Sequence, residues 1–147
     1  MSEIFKENLK DLIEDKGLSL RKIEKESGIS SSQYSRYLKG IIPSIEVLTK
    51  IAKYFNCSID YLVGFEEDKG YYKEHTFSID KFLDNYSNYL SARNITHWKF
   101  AQANNFNEAC LRHWKNGEVP KTTTLITIAQ ALNLTLEELI FWWGFDG

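Results

Sequence analysis

Residues 18–40 read LSLRKIEKESGISSSQYSRYLKG, and the reading of this stretch decides the fold. Ser19 is placed to cap a short helix that ends near Ser27 and Gly28. Ser30 opens a second helix, and Gln33, three residues on, completes a capping box with it. Such a box satisfies backbone donors that a first helical turn leaves orphaned, so it marks a helix start with a mechanism. Gly28 supplies the positive φ that the turn Gly28-Ile29-Ser30 requires, and Gly40 stops the second helix. On that helix Tyr34, Tyr37 and Leu38 stand at i, i+3 and i+4 and anchor one face to a core. Ser31, Ser32, Ser35, Arg36 and Lys39 share the other face, which is short, polar and free of carboxylates.

Working outward, Ile4, Phe5, Leu9, Leu12 and Ile13 gather on one helical stripe that Gly17 ends. After Pro43 and Ser44, a further stripe runs through Ile45, Leu48, Ile51, Ala52 and Phe55, and Ser58 starts a closing helix through Leu62. The same plan returns at an offset of 77 without a gap. Phe5, Asn8, Lys22, Gly40, Pro43, Leu48, Ile51, Ala52, Asn56 and Leu62 recur as Phe82, Asn85, Lys99, Gly117, Pro120, Leu125, Ile128, Ala129, Asn133 and Leu139. Gly17 becomes Asn94 and Gly28 becomes Asn105, and Asn best replaces Gly where φ is positive, so both copies are expected to turn at the same places. Caps in the second copy are expected at Thr96, Asn107 and Thr135, the last with Glu138 as its box partner. The expected architecture is all-α, with two five-helix domains in tandem: residues 1–65, an acidic linker over 66–79, and residues 80–147.

The chain has 147 residues and a net charge of −2, which excludes an indiscriminate polycation but leaves room for a locally basic face. No apolar run approaches the roughly 20 residues of a membrane helix, and the charged N-terminus lacks a signal core, so a cytoplasmic protein without membrane association is expected. Cys57 and Cys110 are too few for a disulfide framework. Cys110 and His113 lie four positions apart inclusive, as half of a zinc motif, but unactivated thiols are the simpler account, and no metal or other cofactor is expected. His75, His97 and His113 have no paired acid or activated serine in the pattern, and no glycine-rich phosphate loop exists, so an enzyme is not expected. Charge placement is informative: from Arg21 to Lys53 stand Arg21, Lys22, Lys25, Arg36, Lys39, Lys50 and Lys53 against Glu24, Glu26 and Glu46, whereas residues 1–20 carry an excess of acid.

Leu18-Ser19, Ile23, Gly28-Ile29-Ser30, Tyr34 to Gly40, Pro43, Leu48, Ile51-Ala52 and Cys57 to Leu62 together resemble the helix-turn-helix domain of the Cro/CI or XRE-like family, which has a lambda-repressor-like fold. The resemblance implies a sequence-specific regulator of transcription, of phage-repressor type, that binds an operator in double-stranded DNA. It places Ser31, Ser32, Gln33 and Arg36 where base-contacting side chains sit. Ser30, Ser35, Lys39 and Ser44 fall near backbone-contacting positions, and Ser19, Arg21 and Lys22 at a helix start join them. Leu20 departs from a frequent phosphate-binding Gln, Glu24 from a small Ala, and Leu38 from a frequent acid. The departure at Glu24 is expected to loosen or tilt the helix pair.

The second copy resembles the same family more distantly, through Ile95-Thr96, Phe100-Ala101, Gly117, Pro120, Leu125, Ile128-Ala129 and Leu134 to Leu136. Its corresponding face carries Trp98, Lys99, Asn107, Glu108, Arg112 and Lys115, as contacts to DNA or to a partner. All four tryptophans lie in this half, and Trp142, Trp143 and Phe145 form an apolar tail suited to a dimer or partner interface. One helix pair covers one half-site, so specificity calls for a second on the duplex, from a homodimer or from the tandem copy. The rival reading is an antitoxin-like or inhibitor module whose Trp-rich half binds a protein and whose first half autoregulates.

Overall fold

The computed structural model describes residues 2–141 and is helical throughout, with no strand among the described residues. It divides into two compact units, residues 1–74 and 75–147. In the first, α1 (Ser2–Lys16), α2 (Leu20–Ser27), α3 (Ser31–Tyr37), α4 (Ile45–Phe55) and α5 (Ile59–Val63) surround one core. In the second, α6 (Ile79–Ala92), α7 (His97–Ala103), α8 (Cys110–Lys115), α9 (Thr122–Ala131) and α10 (Leu136–Phe141) follow the same order. No helix of the described residues is long and apolar enough to cross a membrane.

Most helix starts are set by side-chain caps, and most of these fall where local sequence places them. Ser19, Ser30, Ser44 and Ser58 each accept a hydrogen bond from the backbone amide three residues on. The box between Ser30 and Gln33 is complete in both directions, and so is that between Thr135 and Glu138. The repeat is visible in the backbone as well. Gly17 and Asn94, Gly28 and Asn105, Gly40 and Gly117, and Asn56 and Asn133 all have positive φ, so residues 77 apart turn alike.

The two cores use the same positions with different fillings. The first buries Phe5, Leu9, Leu12, Ile23, Ile29, Tyr34, Tyr37, Leu48, Ile51 and Leu62. Phe5 and Tyr37 meet edge to face at 6.4 Å, and Phe82 and Trp114, their counterparts, do so at 5.5 Å. In the second unit Tyr86 replaces Leu9, Phe100 replaces Ile23 and Phe106 replaces Ile29, so an aromatic cluster stands where the first unit is largely aliphatic. Trp114 is 3 % exposed and belongs to that core.

Residues 66–74 lie with the first unit. The Ser58 amide donates to the Lys69 carbonyl at 3.0 Å, the Tyr72 amide to Asn56 Oδ1 at 3.2 Å, and Lys53 pairs with Glu74 at 3.9 Å. At the other end of this unit, α1 closes on α5: Asn8 Nδ2 donates to the Tyr61 carbonyl at 2.7 Å, and a Cβ on Gly64 would lie 2.8 Å from Ile4. Gly64 is thus required both by its φ of 90° and by the close approach of Ile4.

Candidate nucleic-acid interface

The candidate interface is built on α2 and α3, which two side-chain ties join. At the turn, Gly28 takes a φ of 77° and Ile29 is buried. The Ser27 hydroxyl receives the Tyr34 hydroxyl proton at 2.8 Å, which links the end of α2 to the buried face of α3. Glu24 makes the strongest tie: its Oε1 accepts from the Ser31 amide at 2.6 Å and from the Ser31 hydroxyl at 2.8 Å. The Ser31 amide, then the Ser31 hydroxyl, hold the Glu24 carboxyl below its ordinary range, so it stays ionised, with Arg21 adding to the effect. Behind α2, the Tyr54 hydroxyl donates to Glu26 at 2.6 Å and Lys16 lies over the Tyr54 ring at 4.5 Å. Burial, then the Glu26 carboxylate, pushes the Tyr54 phenol up to about 12, so this bond keeps its proton.

Two expectations are corrected here. Glu24 does not loosen the helix pair, because its carboxylate reaches the first turn of α3 and bonds to it twice. For the same reason the outward side of α3 is not free of carboxylates, since one arrives from α2 at Ser31.

The side chains singled out from sequence fall into two groups. Ser32, Ser35, Arg36 and Lys39 are exposed, as are Arg21 and Lys22 on the first turn of α2. Among the described residues no ion pair engages Lys22, Arg36 or Lys39. Ser19 and Ser44 are exposed caps whose hydroxyls accept from Lys22 N and Val47 N. Ser30, Ser31 and Gln33 are half-buried and internally engaged. Gln33 Oε1 accepts from the Ser30 amide at 3.1 Å and the Ser30 hydroxyl at 3.2 Å, and Gln33 Nε2 donates to the Tyr37 hydroxyl at 3.4 Å. The capping box that foretold the helix start was also the signal that Gln33 is committed. Glu24 carries no such local signal, because its partner stands seven residues on, across a turn.

The second unit builds the matching corner differently. Trp98, on the first turn of α7 and 57 % exposed, occupies the place of Arg21, with exposed Lys99 beside it. Ala101 fills the place of Glu24 and is fully buried, while Glu108 fills the place of Ser31 and is exposed. Asn107 does not cap a helix here, as a correction to the expected start. Its Oδ1 accepts from the Ala109 amide two residues on, and α8 begins only at Cys110, with no side-chain cap. Residues 107–112 are joined by backbone bonds three residues apart, Cys110 to Asn107, Leu111 to Glu108 and Arg112 to Ala109.

His97 fixes this altered start. Its Nε2 lies 2.8 Å from the Glu108 carbonyl, which can only accept, so Nε2 carries the proton. Nδ1 lies 2.7 Å from the Tyr86 hydroxyl, a phenol whose proton burial retains strongly. Arg112 and Lys115 are exposed on α8 and, with His97, Glu108 and Leu111, line an open depression of about 530 Å³. His113, in the place of Arg36, is exposed and lies 3.4 Å from Glu118, an ion pair only when the imidazole is protonated. Cys110 is half-buried, and burial pushes its thiol up to about 11, the opposite of an activated nucleophile. Trp142, Trp143 and Phe145 lie outside the described residues.

Comparison with known families agrees with this division of the chain. Residues 9–62 match a family described as helix-turn-helix, and residues 86–142 match one described as a Cro/C1-type helix-turn-helix DNA-binding domain. Comparison with curated proteins and with solved structures finds no match. The two matches leave out the start of α1, all of the stretch between α5 and α6 and the first half of α6, and each contains its unit's helix pair. The chain carries two helix-turn-helix domains in tandem, of the kind found in DNA-binding transcription regulators, and the second matches the Cro/C1-type DNA-binding domain.

Proposed function

We propose that the chain is a sequence-specific repressor of phage type, whose first domain reads operator DNA with α3 and whose second domain supplies self-association or a partner contact. One observation carries this reading: α3 is pinned from behind by buried Tyr34 and Tyr37, while Ser32, Ser35, Arg36 and Lys39 stand exposed on its outer side. A pinned helix with a polar, cationic outer face suits the major groove, where Arg gives its strongest discrimination by donating to guanine O6 and N7. Arg21, Lys22 and Lys39, with the caps Ser19 and Ser44, suit the flanking phosphates. So few cations imply weak non-specific binding and a shallow salt dependence. A homodimer would place two such helices on a two-fold-related operator.

Selection of bound fragments from a random duplex pool tests the reading. The whole chain should enrich one sequence, and Arg36→Ala should cost about 1–3 kcal/mol of discrimination at one base pair while leaving the fold intact. Unchanged enrichment by Arg36→Ala would refute the assignment.

The second reading, a protein-binding module that uses DNA only for its own regulation, is favoured by Trp98. An indole that is 57 % exposed stands where the first domain has an arginine, which suits an apolar partner better than a phosphate. Removal of residues 80–147 separates the two readings. Full repression by the remaining first domain would favour a second domain that works on another protein.

A further inference from the structure

Resting on the reading that the first domain recognises DNA, we propose that Glu24 sets its base specificity by withdrawing Ser31 from the reading face, so that Ser32 and Arg36 carry the discrimination. Ser31 has one hydroxyl proton to donate, and it is given to Glu24 Oε1 at 2.8 Å while the Ser31 amide holds the same oxygen at 2.6 Å. A hydroxyl held in this way cannot donate to guanine or thymine acceptors, and the carboxylate beside it repels them. Gln33 is withdrawn by a parallel route, through Ser30 and Tyr37. Ser32 and Arg36 remain exposed, with no internal partner among the described residues. Glu24 is thus a positioning residue that acts on DNA through Ser31.

The slot itself does not require a long side chain. Ala101 stands at the equivalent position of the second domain, fully buried, and α7 and the positive-φ turn at Asn105 form around it. Glu24→Ala therefore releases Ser31 at the cost of one tie between α2 and α3, while the bond between Tyr34 and Ser27 remains. Glu24→Gln keeps an oxygen that can accept both Ser31 donors, and Ser31→Ala keeps the amide bond to Glu24.

The test compares pools of duplex DNA selected by the full-length wild type, Glu24→Ala, Glu24→Gln, Ser31→Ala and the double variant Glu24→Ala with Ser31→Ala. Ser31→Ala and Glu24→Gln should select the wild-type sequence. Glu24→Ala should acquire a new preference of about tenfold at a single base step, and the double variant should lose it. A changed pool with Ser31→Ala alone would overturn the proposal, because Ser31 would then be reading directly. Identical pools from Glu24→Ala and the wild type would overturn it too. A folded wild type that enriches no sequence at all refutes the DNA-reading function itself, a failure seen before any variant is compared. Ser31→Ala removes only one small hydroxyl, so its arm decides even where Glu24→Ala lowers the melting temperature.

Discussion

The two domains share a backbone plan at an offset of 77 residues, yet they close the same corner with opposite chemistry. In the first, a carboxylate from α2 reaches forward to the first turn of α3, and that helix starts at Ser31. In the second, the acid has moved to the other side of the turn as Glu108, and a histidine from α7 reaches forward instead to its carbonyl. The consequence is a helix that starts at Cys110, two residues later than the repeat would place it. One domain therefore presents a capped, pinned helix with exposed cations, and the other a shorter, uncapped helix in a domain with an exposed tryptophan. Identical fold positions do not preserve an exposed polar face, because that face depends on which polar side chains are spent holding the helix.

Three measurements would break or sharpen this contrast. Trp114→Ala should have the largest effect, since it empties the aromatic core of the second domain, at a cost of about 3–5 kcal/mol. Backbone amide exchange should show this loss across α6 to α10 and leave the protection of α1 to α5 unchanged; equal losses in both would mean that the two cores do not fold independently. Tyr86→Phe removes the hydroxyl that orients His97 and should cost about 1 kcal/mol in thermal unfolding of the second domain. A melting temperature equal to wild type would show that His97 holds Glu108 without help. The smallest effect is expected from moving the first domain's clamp into the second, as Ala101→Glu with Glu108→Ser. Slower exchange at Cys110 and Leu111 should follow, with a gain of up to about 1 kcal/mol if α8 extends. Unaltered exchange there would mean that the late start belongs to Asn107 and His97 alone.

Much of the fold was legible before any coordinates. Ser19, Ser30, Ser44 and Ser58 bond to amides three residues away, so their effect is written in adjacent sequence. The exchange of Gly17 and Gly28 for Asn94 and Asn105 announced positive φ because few other residues tolerate it. The candidate site was only half legible. Arg36 and Ser32 follow from helical periodicity and are exposed as expected. Asn107 misled because the same side chain can bond two or three residues ahead, and local sequence does not choose between an Asx turn and a helix cap. Trp114 was not decided by sequence, because a large aromatic suits a core and an interface equally well.

By itself the sequence determined the repeat, the helices, most of their caps and the turns, since each rests on contacts within a few residues or on a backbone angle that particular residues favour. Tertiary structure alone decided which polar groups remain available. Glu24 and Ser31 meet only after α2 and α3 have packed, and His97 meets Tyr86 and Glu108 only inside an assembled second core. A hydrogen-bonding group can be spent once, and packing determines where.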